Sequence, residues 1–260
     1  MTEMSDRTET QSVLEYEVKD GVAWLRLNRP EKRNAVDAEL RAALAEAVRG
    51  VERDSQARVV VLIGSGEAFC AGADVVEFQE RAGAAERIRG EYESILLGLH
   101  DMPKPTIAAL NGVAAGIGVS MALCCDLRYA VPSAYLREAF VHIGLTVDGG
   151  ASWLLPRLIG AGRALELMYT GDDLPAEEAE RLGLVNRILP ADRLEGYVGD
   201  LAARLATGPM QALAAMKRSV NHAANTTLEE AIDFEFLLQG VMMESDEFRQ
   251  RVRAFVERRR

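Results

Sequence analysis

Apolar residues alternate with polar ones at Leu14, Tyr16 and Val18, and again at Ala23, Leu25 and Leu27, with Asp20-Gly21 between the two runs. Period-two alternation on both sides of an Asp-Gly pair predicts an antiparallel hairpin. Asp37 precedes Leu40, Leu44, Val48 and Val51, whose spacing makes one helical stripe, and a carboxylate there can cap the first turn. Val59 to Ile63 is continuously apolar, as a strand covered on both faces requires. A second stripe at Ile88, Tyr92, Leu96 and Leu99 predicts another helix, Pro103 and Pro105 bracket a break, and Thr106–Leu110 predicts the next strand. The order is β-β-α-β, which sets an α/β class.

Pro105 to Cys125 carries no charge and is about as long as a membrane-spanning helix. Asn111, Gly112, Gly116, Gly118 and Ser120 divide it instead into a strand, a glycine turn and a buried helix. Asp126 to Ala130 resembles one more short strand, Pro132 marks a turn, His142 stands in a strand-like run, and Pro156 and Gly160 punctuate helical segments. Further on, Pro175 suits a first helical position, Gly183 a helix stop, and Leu184 to Ile188 a last strand. Thereafter the chain reads as helix. Thr227 and Glu230 make a capping box ahead of Ala231, Phe234 and Leu238, and Phe248 to Arg260 is amphipathic with a basic tip.

A length of 260 residues suits one large domain, or one with an appended piece, and a composition 48% hydrophobic and 27% charged excludes disordered, collagen-like and disulfide-scaffold classes. The charge of −10 argues against a broad nucleic-acid-binding face while leaving room for a local basic pocket. Cys70, Cys124 and Cys125 show neither a CxxC spacing nor an even count, so no metal site and no disulfide framework is expected, and the cytoplasm is the expected compartment. The first ten residues have acids where a secretory signal needs a basic start, so export is not expected.

Two glycine-rich segments follow strands. Gly64 to Asp74 lacks the Lys-Ser/Thr pair of a P-loop and the spacing of a dinucleotide fingerprint. Its glycines still let backbone N–H groups face a ligand. Asn111 to Gly118 is a turn opening a helix, whose free N–H groups carry the positive end of the helix dipole. Either turn could hold a developing oxyanion.

Leu27-Asn-Arg-Pro-Glu-Lys-Arg-Asn-Ala35, Ala68-Phe-Cys-Ala-Gly-Ala-Asp74, Ala109-Leu-Asn-Gly-Val-Ala-Ala-Gly116 and Cys125-Asp126, in this order and spacing, resemble the crotonase (enoyl-CoA hydratase/isomerase) superfamily. The likeness runs from about Leu14 to the carboxyl-terminal helices. It implies a spiral of β-β-α units over residues 12–200, a helical region over 201–260 for trimerisation and active-site cover, and homotrimers or hexamers. It also implies an acyl-CoA thioester substrate with no metal or redox cofactor. The thioester oxygen would sit between the N–H groups of Ala73 and Ile117. Arg33, with Ala71, Asp74 and Val75, would lie along the CoA portion, where a guanidinium suits phosphates. Asp74 is equally suited to bracing the turn. Lys217 and Arg218 are further cations that could contribute or be ordinary surface charge.

The resemblance places hydratase glutamates at the positions of Ser120 and Phe140, neither of which can act as a base. Asp148 occupies a position resembling the catalytic aspartate of dienoyl-CoA isomerases and epoxyphenylacetyl-CoA isomerases. One carboxylate suffices to move a proton between two carbons, and surroundings of Phe140, Leu145 and Trp153 would raise its pKa. Read without the resemblance, Asp148 is a turn aspartate satisfying its own backbone before Gly149-Gly150. Ile117 stands where the superfamily more often has glycine or alanine, and its branched side chain would narrow the acyl pocket. The function expected is enoyl-CoA isomerisation, with enoyl-CoA hydration or non-catalytic acyl-CoA binding as alternatives.

Overall fold

The computed structural model describes residues 12–76 and 85–257, with the side chains of 85–88 and of residue 91 left aside. Strands β1 (Leu14–Lys19) and β2 (Val22–Leu27) form the expected hairpin. Asp20 and Gly21 both have positive φ, the geometry of the tight turn that matches strand twist. Helix α1 (Ala38–Arg53) is capped by Asp37, whose side chain accepts from Leu40 N at 2.9 Å. Strand β3 (Val59–Gly64) is buried throughout, and helix α2 (Ala85–Asp101) presents Tyr92, Leu96 and Leu99 to the core. Ile88 lies outside the described side chains.

Two short strands arise where the sequence reads only as glycine turns: β4 (Ala68–Cys70) and β6 (Val113–Ala115), flanking β5 (Thr106–Leu110) in the chain. Helix α3 (Ile117–Cys124), β7 (Leu127–Ala130) and β8 (Tyr135–Arg137) come next. The chain thus alternates between two sheets. One has the order β1-β2-β3-β5-β7-β10 and the other β4-β6-β8-β9, where β9 is Leu174–Pro175 and β10 is Arg187–Ile188. Apart from β1–β2 and β8–β9 the pairings are parallel. This is the expected α/β spiral with helices collected toward the carboxyl end.

The junction between the sheets admits no extra atom. A Cβ on Gly112 would stand 1.9 Å from the Glu67 carbonyl oxygen. Two asparagines fasten the same corner. The Asn111 side chain accepts from Gly64 N at 3.1 Å and donates to the Gly64, Gly66 and Ala68 carbonyls. Asn34, wholly buried, accepts from Arg29 N and donates to the Ser65 and Ala68 carbonyls.

Helices α4 (Ala151–Ile159), α5 (Ala161–Thr170) and α6 (Ala176–Leu182) lie beyond β8, with Pro156 inside α4 rather than between helices. His142 belongs to a 3-10 turn (Ala139–Ile143) rather than a strand. Pro175 is the residue before α6 rather than its first, and the last strand shrinks to two residues. Helix α7 (Ala191–Ala206) buries Leu194, Val198, Ala202 and Ala206, so the expected boundary at residue 200 falls inside it. Helices α8 (Met210–Ala223), α9 (Leu228–Met243) and α10 (Asp246–Glu257) bury no residue fully. The Thr227–Glu230 capping box is present, and the basic tip at 258–260 lies outside the described residues. Among the described residues no helix is long and apolar enough to cross a membrane.

Replacing Asn111 with alanine strands buried backbone groups at the junction, each at a cost of about 1–3 kcal/mol. The expected result is an unfolding free energy lowered by that order, read as a lower denaturant midpoint with an unchanged slope.

Candidate active site

The two glycine turns lie against each other. A Cβ on Gly118 would meet the Cys70 carbonyl oxygen at 2.6 Å, and one on Gly72 the Ala115 carbonyl oxygen at 3.1 Å. Val36 bridges Ala73 in parallel, donating to the Gly72 carbonyl and accepting from Asp74 N. A parallel bridge of this kind turns the N–H of Ala73 itself to the other side. Ile117 opens α3, where first-turn N–H groups have no partner within the helix. Both amides expected to hold an oxyanion therefore flank one junction.

Beside it lies a cavity of about 700 Å³ lined by Tyr92, Leu96, Leu97, Ile117, Cys124, Trp153 and Leu154, with Asp148, Gly149 and Gly150 on its wall. Gly149 has a φ of +60° and sits so tightly that a Cβ would be 2.6 Å from Ser120 Cβ and 2.8 Å from Ile117 Cδ1. Ser120, fully buried, donates from Oγ to the Asp148 carbonyl at 3.1 Å. The residue that replaces one hydratase glutamate thus holds the aspartate's backbone.

The Asp148 carboxylate makes no hydrogen bond with the described residues, in contrast to a turn aspartate that satisfies its own backbone. It opens into the cavity on an exposed residue, and partial desolvation raises its pKa. Those surroundings differ from expectation: Leu145 is 49% exposed, and Phe140 packs against Gly116, where a Cβ would lie 3.4 Å from its ring. Among the described residues two other carboxylates touch the cavity, but Glu93 faces Arg89 at 3.8 Å and Asp101 faces His100 at 2.6 Å.

Arg33 reaches the first turn through its backbone, since its carbonyl accepts from Ala71 N at 2.9 Å. Its exposed side chain lines a separate cavity of about 970 Å³ with Arg26, Tyr135 and Glu195. Asp74 contacts Arg29 at 3.5 Å and accepts from Val76 N, so it braces the turn. Val75 is exposed. Lys217 is committed to Asp126 at 3.0 Å and to the Leu99 carbonyl at 2.9 Å, so it fastens α8 instead of awaiting a phosphate, and Arg218 is exposed. Burial pushes the thiols of Cys70, Cys124 and Cys125 up to about 12, which leaves them unreactive. His142 engages the Gly171 carbonyl and His222 stacks on Phe234.

This two-sheet spiral with paired glycine turns has known relatives. The family model for enoyl-CoA hydratase/isomerase matches residues 17–260. The chain belongs to that family. It is an acyl-CoA-processing enzyme of the crotonase superfamily. It is 38% identical, over 95% of both chains, to a Rhodobacter capsulatus protein described as "Probable enoyl-CoA hydratase". It is also 38% identical to the 1,2-epoxyphenylacetyl-CoA isomerase of Escherichia coli, over 93% of this chain and 94% of that one. The crystal structure of an enoyl-CoA hydratase from Mycobacterium smegmatis superposes with a TM-score of 0.91 at 30% identity, covering 96% of this chain and 98% of that one.

Three features of this family member escaped the sequence. Tyr92 reads as a core stripe residue, yet it lines the cavity and feels the charge of Asp148. His100 looks isolated, yet it lines the same cavity edge-on to Trp153 at 6.0 Å. Glu138 carries no motif at all, yet it is completely buried and, among the described residues, neither carboxylate oxygen has a partner. Its inward place directly after β8 continues the alternation of Leu136, a signal too short to read beside a three-residue strand.

Burial, then the charge of Asp148, raises Glu138 from an ordinary 4.5 to about 8. An acid whose folded pKa exceeds its unfolded one stabilises the fold below the unfolded value, and this is lost as pH rises through the folded value. Stability should therefore decline between about pH 4.5 and about pH 8. Urea titrations across that interval should show a shallower decline for Glu138→Gln.

Proposed function

We propose that the protein is an enoyl-CoA isomerase that moves a double bond along an acyl-CoA chain, with Asp148 as the proton shuttle. The observation that carries this reading is the Asp148 carboxylate itself: open to the apolar cavity, beside Ile117, without a hydrogen bond among the described residues, and with its pKa raised by desolvation. The carboxylate takes a proton from the carbon next to the thioester. The C–H electron pair passes into an enolate whose oxygen is held by the Ala73 and Ile117 amides. The same proton then returns two carbons further along while the double bond re-forms beside the thioester. Preorganised donors favour the charge that builds on the oxygen, each contributing about 3 kcal/mol.

Ser120 and Phe140 supply no base for activating water, which favours isomerisation over hydration. Arg33 and the segment Ala71, Asp74 and Val75 are assigned to the CoA portion, with Asp74 acting through its hold on the turn. The reading is of a cytoplasmic enzyme needing no metal or redox cofactor. Helices α9 and α10 expose Leu228, Phe236, Leu237, Val241 and Phe255, an apolar surface suited to a homotrimer or hexamer. Sedimentation velocity should give a trimer or its double, and a monomer would refute that assignment.

Supplied with 3-enoyl-CoA and 2-enoyl-CoA in parallel, the enzyme should shift the double bond with no change in mass. Asp148→Asn should lower kcat by about a thousandfold while retaining ligand binding, within the usual range for losing an acid–base group. A gain of 18 Da unaffected by this variant would replace the reading with hydration, and tight binding with no turnover of either substrate would leave a binding protein. Ser120→Ala removes one neutral hydrogen bond to the Asp148 carbonyl, worth about 1 kcal/mol. It should cost about fivefold in kcat with KM little changed.

A further inference from the structure

The reaction above leaves a buried carboxyl, Glu138, unused, and its role rests on that reading of Asp148. Glu138 comes directly after β8 and faces the same side as buried Leu136. Arg137, between them, faces the other way and pairs with Asp173 at 2.5 Å. Across β8 the Gly116 amide donates to the Arg137 carbonyl at 2.9 Å, so Glu138 lies one residue beyond the strand that supports the α3 turn. Helix α6 packs on β8 through Ala176 and Ala179, while its Glu178 and Arg181 pair with each other. In the turn after Glu138, His142 is engaged with Gly171. Asp148 is the charge that registers at Glu138 among the described residues, and Tyr92 is the further ionisable group that feels Asp148.

A carboxyl with no exposed surface and, among the described residues, no partner on either oxygen carries a heavy cost when ionised. Asp148 is exposed where Glu138 is shut away from water, and the charge of Asp148 adds to the cost of ionising Glu138. Asp148 is the member that opens to the cavity, so the first negative charge settles there. We propose that Glu138 is the proton-holding partner of Asp148: it stays neutral while Asp148 is ionised, keeps the pair at one negative charge through neutral pH, and sets the alkaline limit of turnover. Glu138 is a positioning residue that acts through Asp148. It gains and loses no proton in the cycle, since the proton taken by Asp148 is the one returned to carbon. When Glu138 does ionise, the added charge makes the Asp148 acid a weaker donor and opposes the anionic enolate, so kcat falls.

Two measurements test the pair. Infrared difference titration of the wild-type protein should show a protonated-carboxyl band at pH 7 that disappears with a midpoint near 8. The band should be missing in Glu138→Gln, and its midpoint should move down in Asp148→Asn, where the neighbouring charge is gone. In kinetics with 3-enoyl-CoA, the wild-type kcat should fall on the alkaline side with a midpoint near 8, and Glu138→Gln should push that limb upward by a unit or more. A missing band, a band unaltered in Glu138→Gln, a midpoint unmoved in Asp148→Asn, or an alkaline limb unmoved in Glu138→Gln would each overturn the proposal. Absence of isomerase turnover in the wild type would overturn the functional reading instead, and the infrared titration would then decide whether the pair exists.

Discussion

The approach of two glycine turns at the corner between the sheets is the constraint on which the site depends. Gly112 must come within touching distance of the Glu67 carbonyl, and Gly118 within touching distance of Cys70. No side chain fits at either place, so backbone meets backbone and its polar groups need partners other than water. Asn34 and Asn111 supply those partners through fixed amide geometry. The turned-away amide of Ala73 and the helix-opening amide of Ile117 are the donors on which the proposed chemistry draws. Preorganisation here is a by-product of packing: rigid neighbours hold these donors without any side chain reaching for the ligand.

Electrostatics in the adjoining cavity are governed by the same tight packing. Gly149 is pressed onto Ser120 and Ile117, which brings the Asp148 backbone within reach of the Ser120 hydroxyl. Ser120 stands where the resemblance puts a carboxylate, and in its place it anchors a different one. Among the described residues, the cavity's other carboxylates, Glu93 and Asp101, pair with Arg89 and His100, while Asp148 has no such partner and burial of part of its surface raises its pKa. Glu138 lies deeper still, where only its neutral form is inexpensive. Such a buried group lowers stability at neutral pH, and its persistence in a packed core accords with a part in the chemistry rather than in folding.

At the other end of the chain the balance reverses. Helices α8 to α10 leave large apolar side chains uncovered, and their attachment to the core depends on a few polar ties. Lys217 supplies the main one, reaching Asp126, the Leu99 carbonyl and, more distantly, the Lys104 carbonyl. Arg251 adds a contact to the Thr207 carbonyl. A region held this way has little core of its own, which is the physical ground for assigning it to contact between subunits.

Long periodic signals carried through intact: the Asp20-Gly21 hairpin, the Asp37-capped helix, the continuous run of β3 and the Thr227 capping box each rest on neighbours within one or two turns of chain. The motif set pointed to the superfamily, and with it to Asp148, Ala73 and Ile117. Strands β4 and β6 were hidden because three-residue strands are created by pairing with each other, not by local propensity. His142 reads as extended for the same reason in reverse: its segment has strand-like residues but no strand beside it. The convergence of Tyr92 and His100 on the cavity, and the complete burial of Glu138, depend on contacts between segments far apart in the chain, for which sequence periodicity carries no information. Sequence alone determined the long periodic elements and the family, and offered one candidate base. Tertiary structure decided which polar groups lose their water, because desolvation is set by the atoms packed around a residue and not by its neighbours along the chain.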